Sequence, residues 1–247
     1  MSLHVLHGVA AGAHFLQAAA LSYLAVDAHP TEYPWPIIRL GWQEILQDKK
    51  VQVKLSSLLP IFPGLSAANH ATCFFASDWY DQRVKEKFNW LKWAEYSISA
   101  QMILPIAILS GVNDVRSLVS LAILNVGLQM MGLMIEKRKS EQAPLSELLA
   151  WMGIGWAIFL AMWSEILIAF NTIAIEDSAP PVVYSIVWSM FTLFSSFGVV
   201  QLLYIYDMVS FETYEKALIG LSMAAKSVLV WLVYGGVIMG EQRIEQE

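Results

Sequence analysis

Charge is scarce in this chain, and so is cysteine. Of its 247 residues 15% are charged and 57% are hydrophobic, and the mean hydropathy is positive. A soluble domain exposes far more charge, so the composition excludes that class and indicates an integral membrane protein. The single cysteine, Cys73, excludes an internal disulfide. Basic residues do not predominate, and a formal net charge of −6 argues against a nucleic-acid partner. No basic leader or small-residue cleavage site accompanies the first hydrophobic segment, which is expected to be a retained span. Repeats, low-complexity tracts and linkers are also missing, so a single domain over 1–247 is expected.

What the chain does have is long apolar stretches. They cover roughly 3–26, 51–76, 91–111, 117–135, 145–170, 181–206 and 217–240. Each approaches the about 20 residues needed to cross a bilayer. The predicted fold class is an all-α membrane protein, a bundle of seven transmembrane helices. The polar stretch 27–50 is too long for a simple turn and too charged to cross. Its prolines and its Trp35 and Trp42 suggest a structured loop lying on the membrane surface. Charged connections are expected over 78–90 and 207–216, and kinks at Pro60 and Pro63.

Loop charge predicts an orientation. Connections on the N-terminal side hold Arg83, Lys85, Lys87, Lys92, Lys137, Arg138, Lys139 and Lys216. The cations of the other side cluster in or beside the long first loop, as Arg39, Lys49, Lys50 and Lys54. Positive charge in short loops marks the cytoplasm, so the N-terminus is expected inside and the C-terminus outside.

The last apolar run, ALIGLSMAAKSVLVWLVYGGVIMG, contains one ionisable side chain, Lys226. A lysine at that depth costs at least about 2.5–3.5 kcal/mol on insertion scales. It can pair with a carboxylate, be consumed covalently as a Schiff base, or snorkel toward the interface or a wet cavity. Ser222, four residues earlier, shares its helix face. At about 1.5 Å per residue, Glu95, His14, His70 and Ser66 fall in the same half of the bundle. Buried charges in lipid normally face one another or water, which pairs Glu95 with Lys226. The alternatives are a rim role for Glu95 beside Lys92, and histidines that merely link helices. Asn125 and Gln129, at i, i+4, read as interhelical hydrogen bonders. Most tryptophans read as anchors or packing, while the deep Trp156 and Trp163 are candidates to wall an elongated polyene. Glu165 reads as a rim or dimer-contact residue.

Taken together, the chain resembles a heliorhodopsin, the rhodopsin family with inverted membrane orientation, over essentially its whole length. The resemblance rests on the seven stretches, the extended first loop, Lys226 with Ser222 one turn before it, and Glu95 with Ser99 one turn after it. It implies all-trans retinal on Lys226, Glu95 as counterion with Ser99 as its serine partner, and His14, Ser66 and His70 in an inner cavity. It further implies Phe194 and Gln201 beside the retinal, a homodimer in the lipid bilayer, and a short β-hairpin in the first loop. Pumps of the microbial rhodopsin family usually carry an aspartate where this chain has Ser222, and a proton-donor carboxylate where it has Ile106. A vectorial pump needs separate acceptor and donor groups, so a non-enzymatic, light-sensing photoreceptor is expected. No metal site is expected. The alternatives are an inverted light-driven or light-gated proton or ion conductor, and a seven-helix transporter using the Lys226–Glu95 pair.

Overall fold

A computed structural model describes residues 1–26, 37–39, 50–52, 55–175 and 179–238. Its elements are α1 (Leu3–Val26), β1 (Ile37–Arg39), β2 (Lys50–Gln52), α2 (Leu55–Leu58), α3 (Ile61–Phe75), α4 (Ser77–Lys85), α5 (Trp90–Ser99), α6 (Ile103–Leu109), α7 (Val115–Ser140), α8 (Leu145–Ile175), α9 (Pro181–Ile205) and α10 (Phe211–Leu232). A 3-10 turn, Ala100–Met102, joins α5 to α6, and a π-helical segment, Val233–Ile238, prolongs α10. Five helices, Leu3–Ala25, Val115–Ser140, Leu145–Ile175, Pro181–Ile205 and Phe211–Gly236, are long and apolar enough to cross a membrane. The fold is therefore all-helical and of membrane type, with one two-stranded sheet among the described residues.

The two remaining apolar stretches are interrupted, and proline accounts for both breaks. Pro60 has no N–H to donate and sits in the turn between α2 and α3. Pro63 causes no break, because it lies in the first turn of α3, where N–H groups have no partner within the helix. Pro105, in the first turn of α6, removes the bond that would reach back to Gln101, and the chain tightens into the 3-10 turn just before it.

Side-chain caps fix the starts of α7 and α10. Asp114 Oδ1 accepts from Ser117 N at 2.9 Å at the head of α7, and Ser210 Oγ accepts from Thr213 N at 3.2 Å at the head of α10. Lys137, Arg138 and Lys139 occupy the last turn of α7, where the helix dipole favours cations. Two expected connections are helical. The charged stretch after α3 forms α4, because Tyr80 on one of its faces is buried with Leu3, Ala10, Cys73 and Ile219. The break after α9 is shorter than expected, since α10 starts at Phe211. In the first loop, β1 pairs antiparallel with β2, Ile38 opposite Val51, as the resemblance implied. The rest of 27–49, with Trp35 and Trp42, lies outside the described residues.

The helices α1, α3, α5, α7, α8, α9 and α10 contact one another in that order, and α10 returns to α1 to close a ring. Chain direction alternates around it, so one end carries the start of α1 and the joins α3–α5, α7–α8 and α9–α10. This end is termed the N-terminal face. The main core lies toward the opposite face and is built from Leu59, Ile103, Ile106, Ile166, Ile186 and Leu229 among others.

Candidate functional site

Helix α10 repeats a buried stripe, Glu215, Leu218, Ser222, Lys226 and Leu229, at helical spacing. That stripe brings Lys226 to the centre of the ring, where the residue is 3% exposed. Its Nζ donates to Ser222 Oγ at 2.7 Å and lies 3.6 Å from Glu95 Oε1. The Tyr96 ring sits 5.3 Å from the ammonium, an added attraction for a cation. Ser66 Oγ donates to the same Glu95 oxygen at 2.6 Å. The pairing expected between Glu95 and Lys226 is therefore present, and Lys92 is not the partner of Glu95.

On one side of Lys226 a cavity runs between α5, α7, α8, α9 and α10. Nine of the expected site residues line it. Lys226, Ser222 and Ser99 are accompanied by Asn125 and Gln129 on α7, Trp156 and Trp163 on α8, and Phe194 and Gln201 on α9. Trp163 is fully buried and packs edge-on to Phe191 at 5.2 Å and Phe194 at 6.1 Å. Gln129 Nε2 donates to Asn125 Oδ1 at 3.3 Å, and Gln201 Nε2 donates to Gly132 O at 3.3 Å. Two glycines keep large rings against the walls. A Cβ on Gly132 would lie 2.1 Å from Trp93, and one on Gly198 would lie 2.7 Å from Trp156. Ser99 Oγ is buried without a hydrogen-bond partner in the protein; no bond to Glu95 forms.

Glu95, Ser66, His14 and His70 lie outside that lining, behind Lys226. The rings of His14 and His70 stack at 5.7 Å with 3° between planes. His7, which sequence reasoning did not single out, brings its Nδ1 to 2.9 Å from His70 Nδ1.

A second polar cluster was also missed. Lys92 Nζ bonds Glu136 Oε2 at 2.6 Å and also bonds Glu215 Oε1. Glu136 accepts in addition from Asn89 N at 2.5 Å and Trp93 Nε1 at 3.1 Å. Glu215 accepts from Asn89 Nδ2 and Tyr80 OH, both at 3.0 Å. All three charged residues are buried. Among the described residues the buried histidines, lysines and carboxylates are His7, His14, His70, Lys92, Glu95, Glu136, Glu215 and Lys226. All of them lie at the level of Lys226 or between it and the N-terminal face. Toward the opposite face the buried polar residues among those described are Ser56 and Ser110.

The ring of helices with a buried lysine beside an aromatic cavity is a rhodopsin-like architecture, and solved structures bear this out. The light-driven proton pump rhodopsin of Coccomyxa subellipsoidea superposes with a TM-score of 0.69 at 13% identity, over 94% of this chain and 95% of that one. The transmembrane domain of the Salpingoeca rosetta rhodopsin phosphodiesterase gives 0.69 at 15% identity, over 94% and 83%. The thermophilic rhodopsin of Rubrobacter xylanophilus gives 0.67 at 14%, over 94% and 95%. At these identities the likeness concerns the fold alone. Residues 3–238 match the heliorhodopsin family, and the chain belongs to it. Comparison with curated protein sequences finds no match.

Retinal is the chromophore of that family and of the microbial rhodopsins. The residues present fit such a group. A buried primary amine borders the cavity, the walls are mostly aromatic and aliphatic, and glycines hold Trp93 and Trp156 back where any Cβ would displace them.

Proposed function

We propose that the protein is a light-sensing photoreceptor of the bilayer, holding all-trans retinal on Lys226 as a protonated Schiff base and pumping no ions. The observation that carries this reading is the buried Lys226 Nζ, 3.6 Å from the Glu95 carboxylate and bordering the aromatic cavity. Retinal supplies the light absorption and the double-bond isomerisation. The protein supplies the rest. Glu95 balances the positive charge at Lys226 Nζ, Ser66 orients that carboxylate, and Ser222 Oγ lies within hydrogen-bond reach of the nitrogen. Trp156, Trp163 and Phe194 confine the polyene and exclude water, and Asn125, Gln129 and Gln201 supply the few polar contacts of the walls.

Absence of pumping is supported by where the proton-bearing groups lie. A pump needs acceptor and donor on the two sides of the lysine nitrogen. Among the described residues the buried titratable side chains occupy one side. The further reading is a single domain of seven spans, five unbroken and two interrupted by proline, with a slow signalling photocycle. The N-terminal face is cytoplasmic, on the loop-charge argument, and the protein is a homodimer by family likeness.

Adding all-trans retinal to the expressed apoprotein tests the core of the proposal. The expected result is a visible band that hydroxylamine bleaches; absence of colour would sink it. Illuminated cells should show no sustained, uncoupler-sensitive pH change. A robust change of that kind would favour an inverted proton conductor instead. A tag before Met1 should be unreachable from outside intact cells, and one after Glu247 reachable.

A further inference from the structure

Behind Lys226 the polar residues do not stop at Glu95. Ser66 holds Glu95, and His70 lies one turn farther along the same face of α3. His14 stacks on His70, and His70 Nδ1 meets His7 Nδ1 at 2.9 Å. Across that short gap one nitrogen carries the hydrogen and the other accepts it, an arrangement that works with the hydrogen on either ring. The His7 ring stands edge-on to Tyr80 at 4.5 Å, and Tyr80 OH donates to Glu215 Oε2 at 3.0 Å. Both His14 nitrogens and His7 Nε2 are buried without a protein partner. Buried polar atoms of that kind are normally satisfied by ordered water, which also conducts protons between side chains.

The column therefore ends on Lys92, Glu136 and Glu215, whose charges do not balance. One ammonium serves two carboxylates, and the side-chain exposures are 6% for Lys92, 0% for Glu136 and 1% for Glu215. A buried group with an uncompensated charge is costly. One proton would make the cluster neutral. The Lys226–Glu95 pair, by contrast, is already balanced.

We propose that, on the reading that retinal occupies Lys226, the Glu215–Glu136–Lys92 cluster is the internal store for the proton given up at Lys226 Nζ, reached through Ser66, the three histidines and Tyr80. The N–H bond at Lys226 Nζ breaks, and the nitrogen keeps the electron pair. Each relay group takes up one proton and yields another, a hydroxyl at its single oxygen and a histidine from its other ring nitrogen, so its charge ends unchanged. Tyr80 passes its hydroxyl proton to a Glu215 oxygen, where the new O–H bond forms, and is resupplied from His7 by way of the ordered water that would satisfy His7 Nε2. The cluster goes from one net negative charge to none, and Glu95 is left as the unpaired anion. The total charge of the protein does not change, and recovery runs the same steps backward.

Light-minus-dark infrared spectroscopy of retinal-loaded protein, with isotope-labelled glutamate and a pH-indicator dye in the medium, tests this. Wild type should gain a glutamate carboxylic acid band as the visible band disappears, with no proton reaching the dye. Glu215→Gln and Glu136→Gln should each lose or displace that infrared band. In the dark and without retinal, acid titration should raise the same band in wild type and not in Glu215→Gln. Should the glutamine variants fail to fold, Tyr80→Phe removes one hydroxyl from the column, and its visible band should fade in light with no glutamate band keeping pace. A band that survives in both glutamine variants, or that Tyr80→Phe leaves in step, places the proton elsewhere and overturns the proposal. So does a proton detected in the medium. If retinal gives no coloured protein at all, the photoreceptor reading falls and takes this inference with it. A normal retinal-free titration would then show that the cluster itself is intact.

Discussion

Two lysines are buried among the described residues, and they are held in opposite ways. Lys92 is saturated: two carboxylates bond it, and the rings of Trp93, Phe211 and Tyr214 surround its ammonium at 5.0, 5.7 and 4.8 Å. Lys226 has one hydroxyl at bonding distance, one carboxylate at 3.6 Å, and a cavity beside it. Saturation fixes a charge and ties α5, α7 and α10 together. Under-saturation leaves an amine with room for a new covalent partner. The same residue type thus serves as a clamp at one level of the bundle and as a point of attachment a few turns deeper.

The sharpest way to break that comparison is to remove each lysine in turn. Lys226→Ala should abolish the visible band completely while leaving a folded protein, since Ser66 still bonds Glu95. Lys92→Met should do the reverse. It leaves two buried carboxylates without their cation, and removing one partner of a buried ion pair costs about 3–5 kcal/mol. Unfolding titrations of the retinal-free proteins, with retinal uptake measured alongside, decide the matter. Equal stability losses in the two variants would erase the distinction drawn between them.

A smaller effect is expected at Glu95. An anion near a titrating nitrogen favours its protonated form. Glu95→Gln should therefore make the visible band give way to a near-ultraviolet one at lower pH than in wild type. Each pH unit of that displacement corresponds to about 1.36 kcal/mol of lost charge interaction. The remaining protonated fraction should absorb at longer wavelength, because the anion holds positive charge at the lysine end in the ground state. Added chloride is expected to restore part of both properties. Spectra recorded through a pH titration with no change in either would show that another group balances Lys226.

The smallest effect links the two lysines. Trp93 lines the cavity, and its indole N–H also serves Glu136 in the clamp. Gly132→Ala would press a methyl to 2.1 Å from that ring, and overpacking of this kind costs about 1–3 kcal/mol. The expected signature is reduced stability together with a displaced visible band. Gly12→Ala meets nothing within 4 Å, so it should leave the visible band in place and, lying inside α1, gain at most about 1 kcal/mol of stability. A Gly132 variant as silent as that control would uncouple cavity from clamp.

Much of the site around Lys226 was legible in the sequence. A lone ionisable residue in an apolar run demands a partner, and depth counting along α1, α3 and α5 brought Glu95, Ser66, His14 and His70 to it. The clamp was not legible for a related reason. Glu136 precedes the basic run Lys137-Arg138-Lys139, and Glu215 falls in the charged stretch before the last span, so both read as solvated ends. Their shared partner, Lys92, is 44 and 123 residues away, beyond any local pattern. One signal was available for Glu215: it stands at helical spacing on the same face as Ser222 and Lys226. The helix α4 was hidden by its charge, since Tyr80 and its neighbours bury only one face. The breaks beside Pro60 and Pro105 follow from the missing proline N–H, but the exact winding of the 3-10 turn needed the packing of α6.

That turn, Ala100–Met102, has an electrical consequence. At about three residues per turn in place of 3.6, three residues rotate the helix by about 60° more than an α-helix would. Beyond it, Ile103, Ile106, Ala107, Ile108 and Leu109 are all buried, and the span turns from a wetted rod into an insulator. A membrane voltage must then fall mainly across the dry half, like the gap of a capacitor with one soaked plate. A whole elementary charge crossing the full membrane exchanges about 2.3 kcal/mol per 100 mV with the field. On the proposed reading, a proton shuttling between Lys226 and the N-terminal face samples only the shallow part of that drop. An electrode would record a small inward lobe, an equal return, and an integral of zero.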